Sequence, residues 1–140
     1  MANRNFNGVQ VNQSVTIVEK AGADIADCRN RIMTYDDDGN IIVATGSTKP
    51  LIGVALIEAG TNDISGVDSG KVSTGEDVDI QIKDIGFVLA GGNITKGAEV
   101  TADEKGLAVT AESGYVLGIA ISNAKENGYC KVQISKYKKG

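Results

Sequence analysis

The sequence contains no histidine and no tryptophan, and Pro50 is its only proline. Without histidine the chain lacks the side chain that most often acts as a general base near neutral pH, so histidine-dependent triads and histidine zinc sites are excluded. Six residues are aromatic, four Tyr and two Phe, whereas a sugar-binding or host-adhesion module usually displays several aromatic stacking residues. The composition therefore disfavours catalysis and sugar binding.

Cysteine and long apolar runs are also scarce. Cys28 and Cys130 lie far apart, without the paired spacing of a zinc site or a thioredoxin motif, so we expect reduced, structural thiols. No run of about 18 apolar residues occurs, and the first 14 residues hold no apolar stretch of signal-peptide length. We expect a soluble protein made in a cytoplasm, with no membrane partner.

The charge is acidic overall and basic at the C-terminus. The formal net charge of -4 would repel a phosphate backbone, so a nucleic-acid partner is not expected. The last ten residues contain Lys131, Lys136, Lys138 and Lys139 and no acidic residue. Two interpretations remain open, a solvated basic tail and a basic segment that meets an acidic partner.

The residues that are abundant indicate an all-β fold. The sequence has 18 glycines, its apolar residues are mostly aliphatic, and no segment of twelve or more residues shows a capped helical stripe. Strands are predicted near residues 30–35, 40–45, 50–57 and 77–83, and residues 85–90, apolar on both faces, are predicted to form a central strand. Residues 60–77 are predicted to be an exposed loop. We expect an extended N-terminal arm (1–14), one β domain (15–136), a small barrel or sandwich with little helix, and a basic tail (137–140).

An internal duplication is predicted from three matches in the same order. Residues 34–42 (TYDDDGNII) align without gaps to residues 101–109 (TADEKGLAV), and residues 51–56 (LIGVAL) match 116–121 (VLGIAI). Residues 77–82 match the pattern of 130–135, one residue out of phase. The repeated unit is therefore a hairpin, a strand with a central glycine, a loop and an alternating strand.

The acidic stretch of the first hairpin raises the question of a calcium site. With Gly39 at the sixth position of an EF-hand loop, positions one and twelve would be Thr34 and Thr45, where the motif requires Asp and Glu. The feature common to both copies is turn chemistry, a short polar side chain followed by glycine. We predict a hairpin with an acidic tip at residues 36–38, and a surface cation there is the weaker alternative.

Lys105 lies at the tip of the second hairpin, where lipoyl and biotinyl carrier domains place the lysine that carries the cofactor. Those domains flank the lysine with Asp and Ala or with two Met, and neither pair is present here. An ordinary turn lysine is therefore favoured over a carrier site. No catalytic residue, cofactor site or metal site is predicted.

Five segments together resemble the capsid cement, or head decoration, proteins of tailed bacteriophages. They have the sequences LIGVA (51–55), IGFV (85–88), ITKGAEV (94–100), DEKG (103–106) and VLGIA (116–120). The resemblance covers roughly residues 30–135 and consists of glycine and apolar spacing. It implies a compact, non-enzymatic β domain on the outer surface of an expanded capsid, made in the host cytoplasm, which stabilises the shell by bridging major capsid proteins and often gathers as trimers.

The N-terminal arm is the candidate contact with the capsid. Val9 and Val11 alternate as residues of an added strand would, and we expect Arg4, Phe6, Val9 and Val11 to contact the major capsid protein. The alternative for this segment is a disordered leader. The alternative for the whole chain is a structural or adhesive β module without catalysis.

Overall fold

The computed structural model describes residues 15–56 and 70–140, which contain β-strands and no helix. The strands of the described residues are β1 (Thr16–Lys20), β2 (Ile32–Tyr35), β3 (Ile41–Val43), β4 (Leu51–Ala55), β5 (Asp77–Gln81), β6 (Asp84–Leu89), β7 (Glu99–Ala102), β8 (Ala108–Thr110), β9 (Gly114–Ala120) and β10 (Tyr129–Lys139). The predicted arm and residues 57–69, which include most of the predicted exposed loop, lie outside the described residues.

The strands form two antiparallel sheets with the same topology. The first sheet has the order β1-β5-β4-β2-β3 and the second has the order β6-β10-β9-β7-β8, so each strand of the second corresponds to the strand five earlier in the chain. We call β1–β5 the first unit and β6–β10 the second unit. The predicted duplication and the all-β class are confirmed, and the architecture is sandwich-like rather than a closed barrel.

The hairpin turns have the same geometry in both units. Asp36 Oδ1 accepts hydrogen bonds from the N–H groups of residues 38 and 40, each at 2.9 Å. Asp103 Oδ1 accepts from the N–H groups of residues 105 and 107 at 2.8 and 2.9 Å. Gly39 and Gly106 follow with φ angles of 82° and 76°, a conformation that favours glycine. The acidic stretch is therefore a hairpin turn, as predicted.

A glycine in the fourth strand of each unit allows two backbones to approach closely. A Cβ atom at Gly53 would lie 2.1 Å from the carbonyl oxygen of Gln81, and one at Gly118 would lie 1.9 Å from that of Gln133. Gln81 and Gln133 therefore occupy equivalent positions in the two units. This equivalence accounts for the one-residue phase difference in the sequence alignment.

Both sheets curl in the same way. A parallel bridge joins Ala21 to Ile41 in the first unit, and an equivalent bridge joins Ala90 to Ala108 in the second. Each bridge links the end of the unit's first strand to its third strand, although these strands lie at opposite edges of the sheet. The sheet therefore bends around its own apolar side chains.

The core consists of two clusters of buried apolar side chains. One lies inside the first unit and includes Met33, Ile41 and Ile80, all fully buried. The other consists mostly of second-unit side chains, such as Leu117 of β9, and continues into the first unit through Ile32, Ala44, Leu51 and Val54. Each large aliphatic side chain buried in this way contributes roughly 1.5–3 kcal/mol to folding, so the second cluster holds the two units together.

Backbone hydrogen bonds also join the two units. Ile32 N–H donates to the carbonyl of Gly106 at 2.8 Å, and Tyr115 N–H donates to that of Ser47 at 2.8 Å. Gly106 is buried, and a Cβ atom there would lie 2.3 Å from Val43 Cγ1. The tip of the second hairpin is thus packed against the first unit, whereas Gly39 at the tip of the first hairpin is exposed.

Two predictions need correction. Residues 85–90 were predicted to form a central strand, but β6 is an edge strand, with Ile85 and Phe87 47% and 50% exposed. The basic residues from 137 onwards were predicted to be a tail, but β10 continues to Lys139 and pairs with β9 up to Gly114. The lysines therefore belong to a strand.

Candidate interaction surface

The predicted contact residues of the arm, Arg4, Phe6, Val9 and Val11, lie outside the described residues. Their contact with a capsid protein stays a prediction. The described residues offer other surfaces that a partner could bind.

The carboxylates of the acidic tip do not converge on one point. Asp36 is engaged with the backbone of its own turn, and Asp37 lies 3.7 Å from the exposed Lys49 ammonium group. Across residues 15–56 and 70–140, no three acidic or cysteine side chains come together as metal ligands would. The same ranges contain no helix long and apolar enough to cross a membrane.

The Lys105 side chain is exposed at the tip of its hairpin. Its own N–H donates to Asp103 Oδ1 at 2.8 Å, which belongs to the turn geometry. The next residue, Gly106, is buried against the first unit, so the tip does not project freely. Its surroundings suit an ordinary turn lysine.

The lysines of β10 are engaged with neighbouring strands. Lys136 Nζ donates to the carbonyl of Ile52 at 2.7 Å, and partial burial lowers the pKa of this ammonium group. Lys139 Nζ lies 2.7 Å from Glu99 Oε1, and Glu99 Oε2 accepts a hydrogen bond from the Tyr137 hydroxyl. These two contacts hold the pKa of Glu99 below its ordinary value. Lys136 and Lys139 thus attach the end of β10 to β4 and β7.

The thiols are unsuited to catalysis. Cys28 and Cys130 are free and fully buried. Burial raises the pKa of Cys28 to about 11 and also raises that of Cys130, so both thiols are protonated at neutral pH and are poor nucleophiles.

The outer faces of the two units differ sharply. Val18 pairs with Asp79 across β1 and β5, and the equivalent positions of the second unit hold Phe87 and Lys131. We use the name second-unit face for four exposed side chains, Ile85 and Phe87 of β6 and Tyr129 and Lys131 of β10. Phe87 and Tyr129 are 50% and 54% exposed, and the Lys131 ammonium group lies 5.7 Å from the centre of the Phe87 ring.

The first unit carries polar groups on the corresponding face. Lys20 pairs with Asp77 at 2.6 Å, and both side chains are mostly exposed. Asp79 is exposed opposite Val18, which is the large apolar side chain among the outward-facing positions of β1 and β5. This face needs no partner to cover it, whereas the second-unit face exposes several apolar groups close together.

A pocket of about 260 Å³ lies between the two units, beside the second-unit face. We call it the junction pocket. Its walls come from the turn before β2, the ends of β4 and β5, and the edge formed by β6 and β10; the lining residues are Asn30, Val54, Ala55, Leu56, Gln81, Phe87 and Tyr129.

Two amide side chains link the units beside this pocket. Gln81 Nε2 donates to the carbonyls of Lys83 and Ile85 at 2.7 and 2.9 Å. Asn30 Nδ2 donates to the carbonyl of Phe87 at 2.8 Å. Asn30 Oδ1 is buried and has no hydrogen-bond partner in the described part of the chain.

Comparison with solved structures finds the same fold in one phage protein. The chain is similar to the crystal structure of the head fiber gp8.5 N base in bacteriophage phi29, with a TM-score of 0.60 and 23% identity. The match covers 88% of this chain and 95% of the phi29 chain. At this identity the likeness establishes a common fold. No family model and no curated protein matches the sequence.

Sequence reasoning missed the second-unit face and the junction pocket. A strand that is buried on both faces and a strand that exposes one apolar face have the same apolar run in the sequence. Residues 85–90 fit both descriptions. The available signal was the comparison of the two copies. The first copy has Asn30 and Asp79 where the second copy has Gly97 and Lys131.

Proposed function

We propose that the protein is a non-enzymatic structural protein of a tailed-phage virion that binds the outside of the expanded capsid. The observation that carries the proposal is the fold common to this chain and the phi29 head fiber base, which extends over nearly the whole of both. The sequence resemblance to capsid cement proteins points to the same part of the virion independently.

The physical properties of the described residues agree with such a role. A protein that reinforces a shell needs a stable fold and an interface, but no reaction chemistry. The two units are joined by a common core and by backbone hydrogen bonds, and the thiols are buried. The second-unit face supplies apolar surface for an interface core, where aromatic residues are typically enriched.

The partner in this proposal is the major capsid protein, and the protein bridges neighbouring copies of it. The N-terminal arm, through Arg4, Phe6, Val9 and Val11, adds as a strand to an exposed sheet edge of the capsid. Deleting residues 2–12 should abolish capsid binding and leave the melting temperature nearly unchanged, because these residues precede β1. Unaltered binding would refute the role of the arm.

The proposal includes self-association into a trimer, as the resemblance to cement proteins implies. Sedimentation equilibrium of the purified protein over a range of concentrations measures this directly. A mass of three chains supports the trimer, and a mass of one chain at all concentrations would restrict trimer formation to the capsid surface.

Co-sedimentation with capsids tests the main proposal. The purified protein is mixed with undecorated heads of the phage that encodes it, in compact and in expanded form. We expect saturable binding to expanded heads alone, at a fixed ratio to the major capsid protein. Absence of binding to either form would contradict the proposal and favour an independent β module. An unmodified intact mass, after expression with a lipoyl or biotinyl ligase and cofactor, would exclude a carrier role for Lys105.

A further inference from the structure

The strand β1 lies at the edge of the first sheet, with β5 as its neighbour. Ala21 N–H donates to the carbonyl of Glu76 at 2.8 Å, and Ile82 N–H donates to the carbonyl of Val15 at 3.1 Å. Hydrogen-bonded pairs alternate with non-bonded pairs along an antiparallel ladder, so the odd-numbered residues of β1 bond to β5. The even-numbered residues direct their N–H and C=O groups away from β5, and these groups form what we call the outer edge of β1: Thr16, Val18 and Lys20.

The equivalent edge of the second unit is covered by the first unit. Gln81 Nε2 donates to the carbonyl of Ile85 at 2.9 Å, and Asn30 Nδ2 donates to the carbonyl of Phe87 at 2.8 Å. Leu89 N–H donates to the carbonyl of Asn30 at 3.1 Å. In the register of the two sheets, the three residues of β6 that receive these bonds correspond to the three residues of the outer edge of β1.

The outer edge of β1 has no such cover from the described part of the chain. Within residues 15–56 and 70–140, no group makes the corresponding hydrogen bonds to it. β1 pairs with β5 in an unbroken register and contains no proline, although bulges and prolines are common means of blocking an edge strand. Val18 at its centre is 56% exposed. The outer edge of β1 can therefore accept a further strand.

We propose that the outer edge of β1 pairs with the outer edge of β1 in a second copy of this chain. The two strands run antiparallel about a two-fold axis at Val18 and join two five-stranded sheets into one. The inference does not depend on the capsid-binding role of the protein.

The sequence of β1 is complementary to itself in this register. Val18 lies opposite Val18 of the second copy, and Thr16 lies opposite Lys20. Every residue of the outer edge then faces a residue of the other outer edge, with two hydrogen bonds for each pair. An axis at Glu19 or at Lys20 would place like charges opposite each other, which destabilises a strand pair. An axis at Ile17 would leave Lys20 opposite no residue of β1.

The second unit of another copy is less well matched to this edge. Asn30 and Gly97 are equivalent, because their N–H groups donate to the carbonyls of Ala55 and Ala120 in corresponding places. Within the chain, the contact between the units uses the amide side chain of Asn30, and glycine has no side chain that could donate. The contact between units therefore cannot be repeated in the same form between copies.

The contact between copies is small. Each β1 has five residues, whereas stable protein interfaces bury roughly 1,200–2,000 Å². We therefore expect the pairing in solutions of millimolar concentration and not at micromolar concentration. The mass measured by sedimentation equilibrium in dilute solution should not include it.

Hydrogen exchange of the backbone amides tests the pairing on the full-length protein without capsids. Nuclear magnetic resonance of the ¹⁵N-labelled protein gives the rate for each residue at micromolar and at millimolar concentration. We expect exchange at Thr16, Val18 and Lys20 to slow several-fold at the higher concentration, whereas Ile17 and Glu19, which bond to β5, should be protected at both. Unchanged rates at the outer edge would overturn the proposal. Slow exchange there at both concentrations would also overturn it, because a segment of the same chain would then cover the edge.

Cysteine cross-linking tests the register. The two Val18 Cα atoms would lie about 5.5 Å apart, within the range that a disulfide spans, so Val18→Cys should form a linked pair of chains under mild oxidation at millimolar concentration. In Lys20→Cys, the matched control, the two Cα atoms would lie roughly 13 Å apart along the strands and should not be linked. Cys28 and Cys130 are buried and do not compete. Equal cross-linking of the two variants would contradict the two-fold axis at Val18.

A proline substitution separates the outer edge from the fold. Val18→Pro removes one outward N–H group and keeps the hydrogen bonds to β5, because an edge strand tolerates proline where its N–H faces solvent. The concentration-dependent slowing at Thr16 and Lys20 should be lost in this variant and kept in Val18→Thr. A melting temperature within a few degrees of the wild-type value verifies the fold of each variant. Slowing that persists in a folded Val18→Pro protein would refute the strand pairing.

Discussion

The first and second units have the same topology but differ in the side chains that they expose to solvent. Their strand orders, hairpin turns, central glycines and parallel bridges correspond. On the outer face, however, Lys20, Asp77 and Asp79 of the first unit contrast with Phe87, Tyr129 and Lys131 of the second. Features present in both units serve the fold, because both sheets need them. Features present in one unit include the amide side chains of Asn30 and Gln81, which contact the other unit.

The largest effect is expected at the central glycines. In Gly53→Ala or Gly118→Ala the new Cβ atom would overlap the carbonyl oxygen of Gln81 or Gln133, which only a shift of the backbone can relieve. Each variant should lose more than about 3 kcal/mol of unfolding free energy, measured by urea denaturation. Gly92→Ala, with no atom within 4 Å of the new Cβ, is the matched control. A small loss at either central glycine would contradict the equivalence of the units.

A difference between the units is expected at the hairpin tips. Alanine at Gly39 or at Gly106 would have to adopt a left-handed backbone conformation, which costs about 1–2 kcal/mol. At Gly106 the Cβ atom would also meet Val43 Cγ1 at 2.3 Å, which adds about 1–3 kcal/mol. Urea denaturation of Gly39→Ala and Gly106→Ala measures both values. Equal losses would show that the second hairpin does not pack against the first unit as described.

The turn carboxylates should contribute equally. Asp36→Ala and Asp103→Ala each remove an acceptor of two backbone N–H groups. Each should lose about 1–2 kcal/mol of unfolding free energy, whereas Asp37→Ala, at a fully exposed side chain, should lose less than about 0.5 kcal/mol. Thermal denaturation of the three variants gives the comparison, and a large effect at Asp37 alone would revive a cation site at the acidic tip.

The smallest effect is a pH dependence at Asp24, whose counterpart in the second unit is the uncharged Asn93. Asp24 Oδ1 accepts from Thr74 N–H at 2.8 Å, and Asn93 Oδ1 accepts from Glu126 N–H at 3.2 Å at the equivalent place. The hydrogen bonds from Thr74 lower the pKa of Asp24 from its ordinary value of 3.8. Because the folded-state pKa is the lower one, this stabilisation is present above the unfolded-state pKa and is lost as pH falls through the folded-state pKa.

Exchanging the residue types of Asp24 and Asn93 tests the direction of this pH dependence of stability. Asp24→Asn should flatten the acid limb of the stability curve below about pH 4, and Asn93→Asp should steepen it, measured as melting temperature against pH. Identical curves for the wild type and both variants would refute the assignment of this pH dependence to Asp24.

Sequence reasoning reached the fold because the duplicated elements are local. The Asp-x-x-Gly turns and the glycine-centred strands are visible in short stretches, since the atoms that require them lie within one hairpin or one strand pair. The candidate interaction surface depends on distant residues. The Asn30 side chain donates a hydrogen bond to the carbonyl of Phe87, which lies 57 positions away in the sequence. In the sequence, the lysines of β10 resemble a solvated tail. The pairing of Tyr137 with Val116 shows that they belong to a strand.

The most direct test of the proposed function is cryo-electron microscopy of expanded heads decorated with the wild-type protein. We predict density for two five-stranded sheets outside the shell, with the second-unit face covered and the N-terminal arm laid along the major capsid protein. Heads that remain bare at saturating protein concentration would contradict the proposal that this chain is a capsid-binding protein of the virion.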